Sequence, residues 1–290
     1  MTKFTKRTRR FFSHLDFLDV LKELKYLEMD TTNVETIPLK ELNLDLIQPC
    51  TETFANLEQG GSKIVIIGKP GTGKTTLIAD LLYSKKHIFP VGIAMSGTED
   101  SNGFYRRIFP SLFVYNTYSK TVIENFVKRQ KLAKSYLSNP WGVIIIDDCT
   151  DEPAIFRDPL QVGMYKRGRH WKMWYILSLQ YGMDIRPNIR TNIDGIFILR
   201  EPNLRNRRVM YENYTSIIPD FTLFCQILDQ ITDDFTALYI HNATRVNDWK
   251  ECVFWYKARK IPDSFKFGCS DFWEFHEARF EPSYVDPIMV

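Results

Sequence analysis

Along the middle of the chain, short runs of unbroken apolar residues alternate with stretches whose apolar positions recur at helical spacing. Runs at 64–67, 87–94, 111–115, 143–146, 174–179 and 196–199 predict strands, and residues 74–83, 121–137 and 159–172 predict helices. The run at 143–146, Val-Ile-Ile-Ile, has no polar face, so both its faces must be covered, as in a parallel sheet. Strands alternating with helices in this way predict an α/β fold of three layers around a mainly parallel central sheet. Beyond residue 200 the pattern loosens. Helices are expected at 203–214 and 221–231, and strands at 235–241 and 253–257, paired with each other. Near the start, Phe12, Leu15, Leu18, Leu21 and Leu24 recur at helical intervals within 11–28, the mark of an amphipathic helix. The expected organisation is a helical arm and lead-in at 1–62, a core domain at 63–260 and a tail at 261–290. That tail is rich in aromatics, with Phe265, Phe267, Phe272, Trp273, Phe275 and Phe280. Such a tail either wraps onto the core or docks another subunit or a capsid.

Composition narrows the function without naming it. The 290 residues are 44% hydrophobic, enough to bury a sizeable core. Charged residues make up 25%, and the net charge of +3 gives no general affinity for nucleic acid, so any such surface must be local. Five scattered cysteines lack metal spacing and fit free thiols in a reducing compartment. The basic start, with Lys3, Lys6, Arg7, Arg9 and Arg10, is not followed by the apolar stretch of a secretory signal. No run reaches the ~18 apolar residues of a membrane-spanning helix. A soluble intracellular protein is therefore expected. The basic start itself is either a solvated arm or one that touches phosphates.

Residues 68–75 read GKPGTGKT, a full G-x-x-x-x-G-K-[ST] phosphate-binding loop between a buried strand and a helix. Gly68, Gly71 and Gly73 let the backbone turn tightly, while Pro70 and Thr72 complete the loop. The inward N–H groups and the helix start take phosphate oxygens. Lys74 is expected to reach the β- and γ-phosphates of ATP, Thr75 to ligate Mg²⁺, and Thr76 to contact the α-phosphate. Residues 143–148, VIIIDD, end a buried strand in two carboxylates, a Walker B pattern. Asp147 is expected to hold Mg²⁺ and Asp148 to orient and deprotonate the attacking water. The alternative is a carboxylate pair that caps a helix. The strand at 174–179 ends at Gln180, placed to sense the γ-phosphate. A positive charge is also needed against the developing charge, and ring ATPases take it from a neighbouring subunit. Arg190 is the leading candidate, followed by Arg169, with Arg186 in reserve.

This set of motifs resembles the virion DNA-packaging ATPases of large cytoplasmic DNA viruses, the poxvirus-type branch of the FtsK–HerA superfamily. The elements are GKPGTGKTT (68–76), KHIFP (86–90), IIIDDC (144–149), GRH (168–170), LSLQ (177–180) and IRTNID, which contains Arg190. They cover the chain from about Lys63 to Arg200. The resemblance implies a RecA-like P-loop NTPase sheet, with the strand ending at Gln180 inserted between the P-loop strand and the Asp147 strand. It also implies a homo-oligomeric ring, pentamer or hexamer, that hydrolyses ATP with Mg²⁺ and moves double-stranded DNA. Its setting would be the host cytoplasm or the virion, with capsid or inner-membrane virion proteins as further partners and no transmembrane segment.

Such a motor grips DNA through phosphate contacts rather than bases. Two basic clusters are candidates: Lys166, Arg167, Arg169, His170 and Lys172, and then Arg200, Arg205, Arg207 and Arg208. Both could equally be solvent-facing charge. A helicase, a small-molecule kinase or a nucleotide-binding scaffold are the other readings. No acceptor lid resembling a kinase's is present, and a mere binder requires neither Asp148 nor Gln180.

Overall fold

A computed structural model describes residues 36–56, 58–149 and 153–284. The chain divides into Met1–Pro38 and Leu39–Val290. The basic start and the helix expected at 11–28 lie outside the described residues.

The unit from Leu39 onward is built on a nine-stranded sheet in the order β1-β9-β8-β7-β2-β6-β5-β3-β4. The strands are β1 (Lys40–Glu41), β2 (Lys63–Ile67), β3 (Val91–Ser96), β4 (Val114–Tyr115), β5 (Gly142–Asp147), β6 (Met173–Leu179), β7 (Gly195–Ile198), β8 (Thr236–His241) and β9 (Val253–Lys257). Only β8 runs against its neighbours, β7 and β9; the other pairings are parallel. Every residue of β2, β5, β6 and β7 is buried, so both faces are covered. The helices among the described residues are α1 (Lys74–Ser84), α2 (Glu99–Asn102), α3 (Phe104–Ile108), α4 (Lys120–Tyr136), α5 (Pro159–Arg167), α6 (Pro187–Arg190), α7 (Leu204–Tyr214), α8 (Phe221–Ile231) and α9 (Ser270–Glu277). The architecture is the expected three-layer α/β fold of a RecA-like P-loop NTPase.

Where the elements differ from the sequence reading, local chemistry explains it. The strand expected at 87–94 starts at Val91, because His87 hydrogen-bonds Thr51 Oγ1 at 2.8 Å in a turn and Pro90 lacks an N–H. The helix expected to run to 172 stops at Arg167. A 3₁₀ turn, Gly168–Trp171, carries the chain to Lys172, which sits in the left-handed region at φ 55. The strand expected from 235 begins at Thr236, because Phe235 is left-handed at φ 58.

Residues 39–62 are anchored by carbonyls that accept from buried donors. Lys85 Nζ donates to Ile47 O and Pro49 O, both at 2.8 Å. Trp141 Nε1 donates to Phe54 O at 2.7 Å. Lys172 Nζ donates to Asn56 O at 2.9 Å and Gln59 O at 2.5 Å. Burial lowers the Lys85 pKa to about 8, so this tether is weakly held as a cation.

Half of the tail's six aromatics lie in the core, while Phe275 and Phe280 are exposed. Phe265, Phe267 and Phe272 are buried in the main apolar cluster. Phe267 stacks on Phe109 at 4.4 Å, and its N–H donates to Ile108 O at 2.8 Å. Phe267→Ala is expected to cost about 3–5 kcal/mol, read as a lowered thermal midpoint. An unchanged midpoint would show that the tail is not part of the core.

Candidate active site

Because β2, β3, β5, β6 and β7 are parallel, their C-terminal ends share one edge of the sheet. The segments that leave them converge there: residues 68–73 after β2, 97–99 after β3, Asp148 after β5, Gln180 after β6 and 199–201 after β7. β6 lies between β2 and β5, so Gln180 emerges between the glycine loop and the two carboxylates. Gly68 N donates to Leu179 O at 3.0 Å, which fixes the loop against the end of β6.

The loop itself needs its glycines. Gly71 and Gly73 have φ of 77 and 98, a region that L side chains avoid. At Gly68 an added Cβ would come within 2.6 Å of Thr72 Oγ1 and 2.9 Å of Leu199 Cβ. Lys74 opens α1 and is only 4% exposed. Its ammonium donates to Lys69 O at 3.3 Å and lies 3.5 Å from Asp148 Oδ1. Asp147 is fully enclosed. Its Oδ2 accepts from Tyr105 Oη at 2.9 Å and Thr75 Oγ1 at 3.3 Å, while Oδ1 has no hydrogen-bond partner among the described residues. A buried carboxylate oxygen left bare beside a threonine hydroxyl fits a hard cation completed by phosphate and water, as Mg²⁺ prefers. Thr76 is exposed on the first turn of α1.

Asp148 is held in the left-handed region, at φ 49. Burial and the neighbouring Asp147 charge push its carboxyl pKa up, opposed by Lys74 and by a hydrogen bond from Gln180. A carboxylate so placed is ready to take a proton. The turn also depends on Gly97, where an added Cβ would run into the carbonyl oxygen of Asp148.

The sequence reading did not anticipate Tyr105 or Glu99. Glu99 is buried after β3 and accepts from the backbone N–H groups of Tyr105 at 3.0 Å and Arg106 at 2.9 Å. It thereby caps α3 and aims the Tyr105 hydroxyl at Asp147. Burial, with Asp147 alongside, raises the Tyr105 pKa well above the usual phenol value, so it stays a donor.

The candidate arginines fall elsewhere. Arg190 Nε donates to Ile185 O at 3.0 Å, and its Nη1 donates to Asn213 Oδ1. Its guanidinium also lies over the Tyr214 ring. Arg190 is thus held by neutral acceptors of its own chain. Arg169 precedes β6 and lies at the opposite edge of the sheet, about 20 Å from the loop by strand length. Arg186 is exposed and makes no ion pair among the described residues. Asp194 of the IRTNID segment pairs with Lys63 Nζ at 3.0 Å, clamping the start of β2.

Two of the basic residues considered for DNA are internal. Lys172 is buried and bound to carbonyls. Arg207 is 6% exposed, donates to Glu201 O at 2.5 Å, and forms a two-pronged pair with Asp229. Lys166, Arg167, Arg169, His170, Arg200, Arg205 and Arg208 remain exposed.

A glycine loop joining β2 to α1, facing an acidic end of β5 across an intervening strand, defines a P-loop NTPase of the α/β class. No family model matches the chain. It is 52% identical over 240 residues to uncharacterized protein 088R of Invertebrate iridescent virus 3, covering 82% of this chain and 92% of that protein. It is 46% identical over 256 residues to uncharacterized protein 075L of Invertebrate iridescent virus 6, covering 87% and 98%. The chain belongs to this family of iridescent virus proteins. Among solved structures, the fold is similar to the genome packaging NTPase B204 from Sulfolobus turreted icosahedral virus 2 in complex with AMP. That likeness has a TM-score of 0.50, 17% identity, and coverage of 68% of this chain and 98% of that one. A genome packaging NTPase is thus among this chain's fold neighbours. Among the described residues, no helix is long and apolar enough to cross a membrane.

Proposed function

We propose that the protein is an ATP-driven motor that moves double-stranded viral DNA into the virion, working as a homo-oligomeric ring. The observation that carries the reading is the convergence of Lys74, Asp147, Asp148 and Gln180 at one sheet edge, with one Asp147 oxygen bare and buried. In this reading Lys74 leaves Asp148 and Lys69 O for the β- and γ-phosphates. Thr75 and Asp147 hold Mg²⁺, which neutralises developing phosphate charge when bound. Asp148 accepts the proton of the attacking water, and Gln180, which hydrogen-bonds Asp148, links that base to the γ-phosphate. The cation supplied by a neighbouring subunit falls to the segment of Arg186 and Arg190, with Arg186 the freer of the two. DNA phosphates meet the exposed members of the two basic clusters.

The test compares ATP turnover with and without long duplex DNA, in wild type and in Lys74→Ala. Expected is DNA-stimulated turnover that falls with added salt, no strand separation, and no turnover in Lys74→Ala. Zero turnover with DNA present would favour a nucleotide-binding assembly factor, and strand separation would favour a helicase.

A further inference from the structure

The phosphate end of the site is fixed by the carboxylates, which leaves the base end to be found. On one side of β2 lie β6 and β5, carrying Gln180, Asp147 and Asp148; on the other lie β7 and β8. A triphosphate whose γ end faces the carboxylates must run its α-phosphate, ribose and base toward β7 and β8. Since β8 is antiparallel, the residue before it arrives at this same edge of the sheet. That residue is Phe235.

Phe235 is an outlier in three respects. It is 64% exposed. It sits at φ 58, directly after Asp234 at φ 56, so two consecutive non-glycine residues occupy the left-handed region. For a bulky side chain this is a strained conformation, of the kind that clusters at ligand sites. Its Cδ1 lies 3.4 Å from where a side chain on Gly73 would begin, against the last turn of the phosphate loop. The two residues before Phe235 each make an exposed ion pair, Asp233 with Arg200 at 3.0 Å and Asp234 with Lys257. The ring stacks on no other aromatic among the described residues. A strained backbone that presents a bare ring beside the loop, on the base side, matches what a flat aromatic ligand requires.

We propose that the nucleotide base stacks on Phe235 and that the site favours purine over pyrimidine nucleoside triphosphates. The proposal rests on reading residues 68–76 as a nucleoside triphosphate site. Stacking uses the π-face that every base has, so it discriminates by ring area rather than by edge groups. A bicyclic purine covers more of the ring than a pyrimidine, whereas adenine and guanine are separated little.

The test measures calorimetric affinity of the full chain for ATP, CTP and inorganic tripolyphosphate, each with Mg²⁺, in wild type, Phe235→Ala and Phe235→Trp. Wild type is expected to bind ATP more tightly than CTP. Phe235→Ala should weaken ATP roughly tenfold, narrow the gap to CTP, and leave tripolyphosphate unchanged. Phe235→Trp should keep ATP affinity, with a fluorescence change on ATP that wild type lacks and tripolyphosphate does not produce. Equal losses for ATP and tripolyphosphate would show that the ring merely shapes the loop, and unchanged ATP affinity in Phe235→Ala would overturn the platform alone. If wild type binds neither ATP nor tripolyphosphate, the phosphate-site reading falls, and this proposal with it.

Discussion

Replacing Asp148 by asparagine is expected to leave ATP affinity close to wild type and to cut turnover about 100- to 10,000-fold, the range for loss of a positioned general base. Asp148 faces the Lys74 ammonium at 3.5 Å and takes a hydrogen bond from Gln180, so an amide of the same shape keeps the geometry and loses the proton acceptor. Lys74→Ala is the contrasting variant, because it removes the charge expected on the phosphates and should lose binding itself. The same carboxyl sets the pH response. Burial and Asp147 raise its pKa in the free protein, so the acidic limb of kcat/KM, which reports the free enzyme, should lie above the ordinary carboxylate range, with kcat/KM falling as pH drops through it. The sign for stability is opposite to that of a paired surface carboxylate. A raised folded pKa means that ionised Asp148 costs stability at neutral pH. Asp148→Asn should therefore not lower the thermal midpoint, which separates a chemical defect from a folding one. Turnover within a few-fold of wild type would remove Asp148 from the mechanism.

Arg207→Glu is expected to cost about 3–5 kcal/mol, because it places a second carboxylate beside Asp229 in an enclosed position and strips a donor from Glu201 O. For a chain of this size the thermal midpoint should fall by roughly 5–8 °C. Arg208→Glu is the control. Arg208 is exposed and lies 4.2 Å over the Phe221 ring, so its loss should change the midpoint little. The pair also decides how DNA contacts are probed, since weakened DNA stimulation in an Arg207 variant would report an unfolded α7–α8 pair. A variant at Arg207 melting within about 2 °C of wild type would contradict this account.

Much of this molecule was readable from contiguous residues. GKPGTGKT and VIIIDD are local signals, because one loop and one strand end each carry the whole pattern, and both stand where alternating runs place them. The insertion of β6 between β2 and β5 was legible only through the resemblance, since nothing in residues 173–179 states which strands lie beside them. What stayed hidden depends on distant pairing. The Tyr105–Asp147 bond spans forty-two residues of chain and rests on a capping glutamate whose sequence context looks like an ordinary turn. Two members of the basic clusters, Lys172 and Arg207, proved buried for a related reason. Charge density along the sequence does not distinguish Arg208 from Arg207, and only the approach of α8 takes Arg207 out of solvent. Likewise nothing around Arg190 in the sequence states that Asn213 and Ile185 hold its guanidinium.

The Lys69–Glu201 contact has a mechanical consequence. Glu201 is 2% exposed, and its oxygens are taken by Lys69 Nζ at 2.8 Å, by Asn203 N at 2.8 Å and by Asn206 Nδ2 at 3.0 Å. Lys69 belongs to the glycine loop, while Asn203 and Asn206 open α7. If an incoming anion draws Lys69 aside, an enclosed negative charge loses its counter-ion, and the first turn of α7 must readjust to compensate. Glu201 thus ties the glycine loop to the start of the helix on which Arg205 and Arg208 stand in solvent.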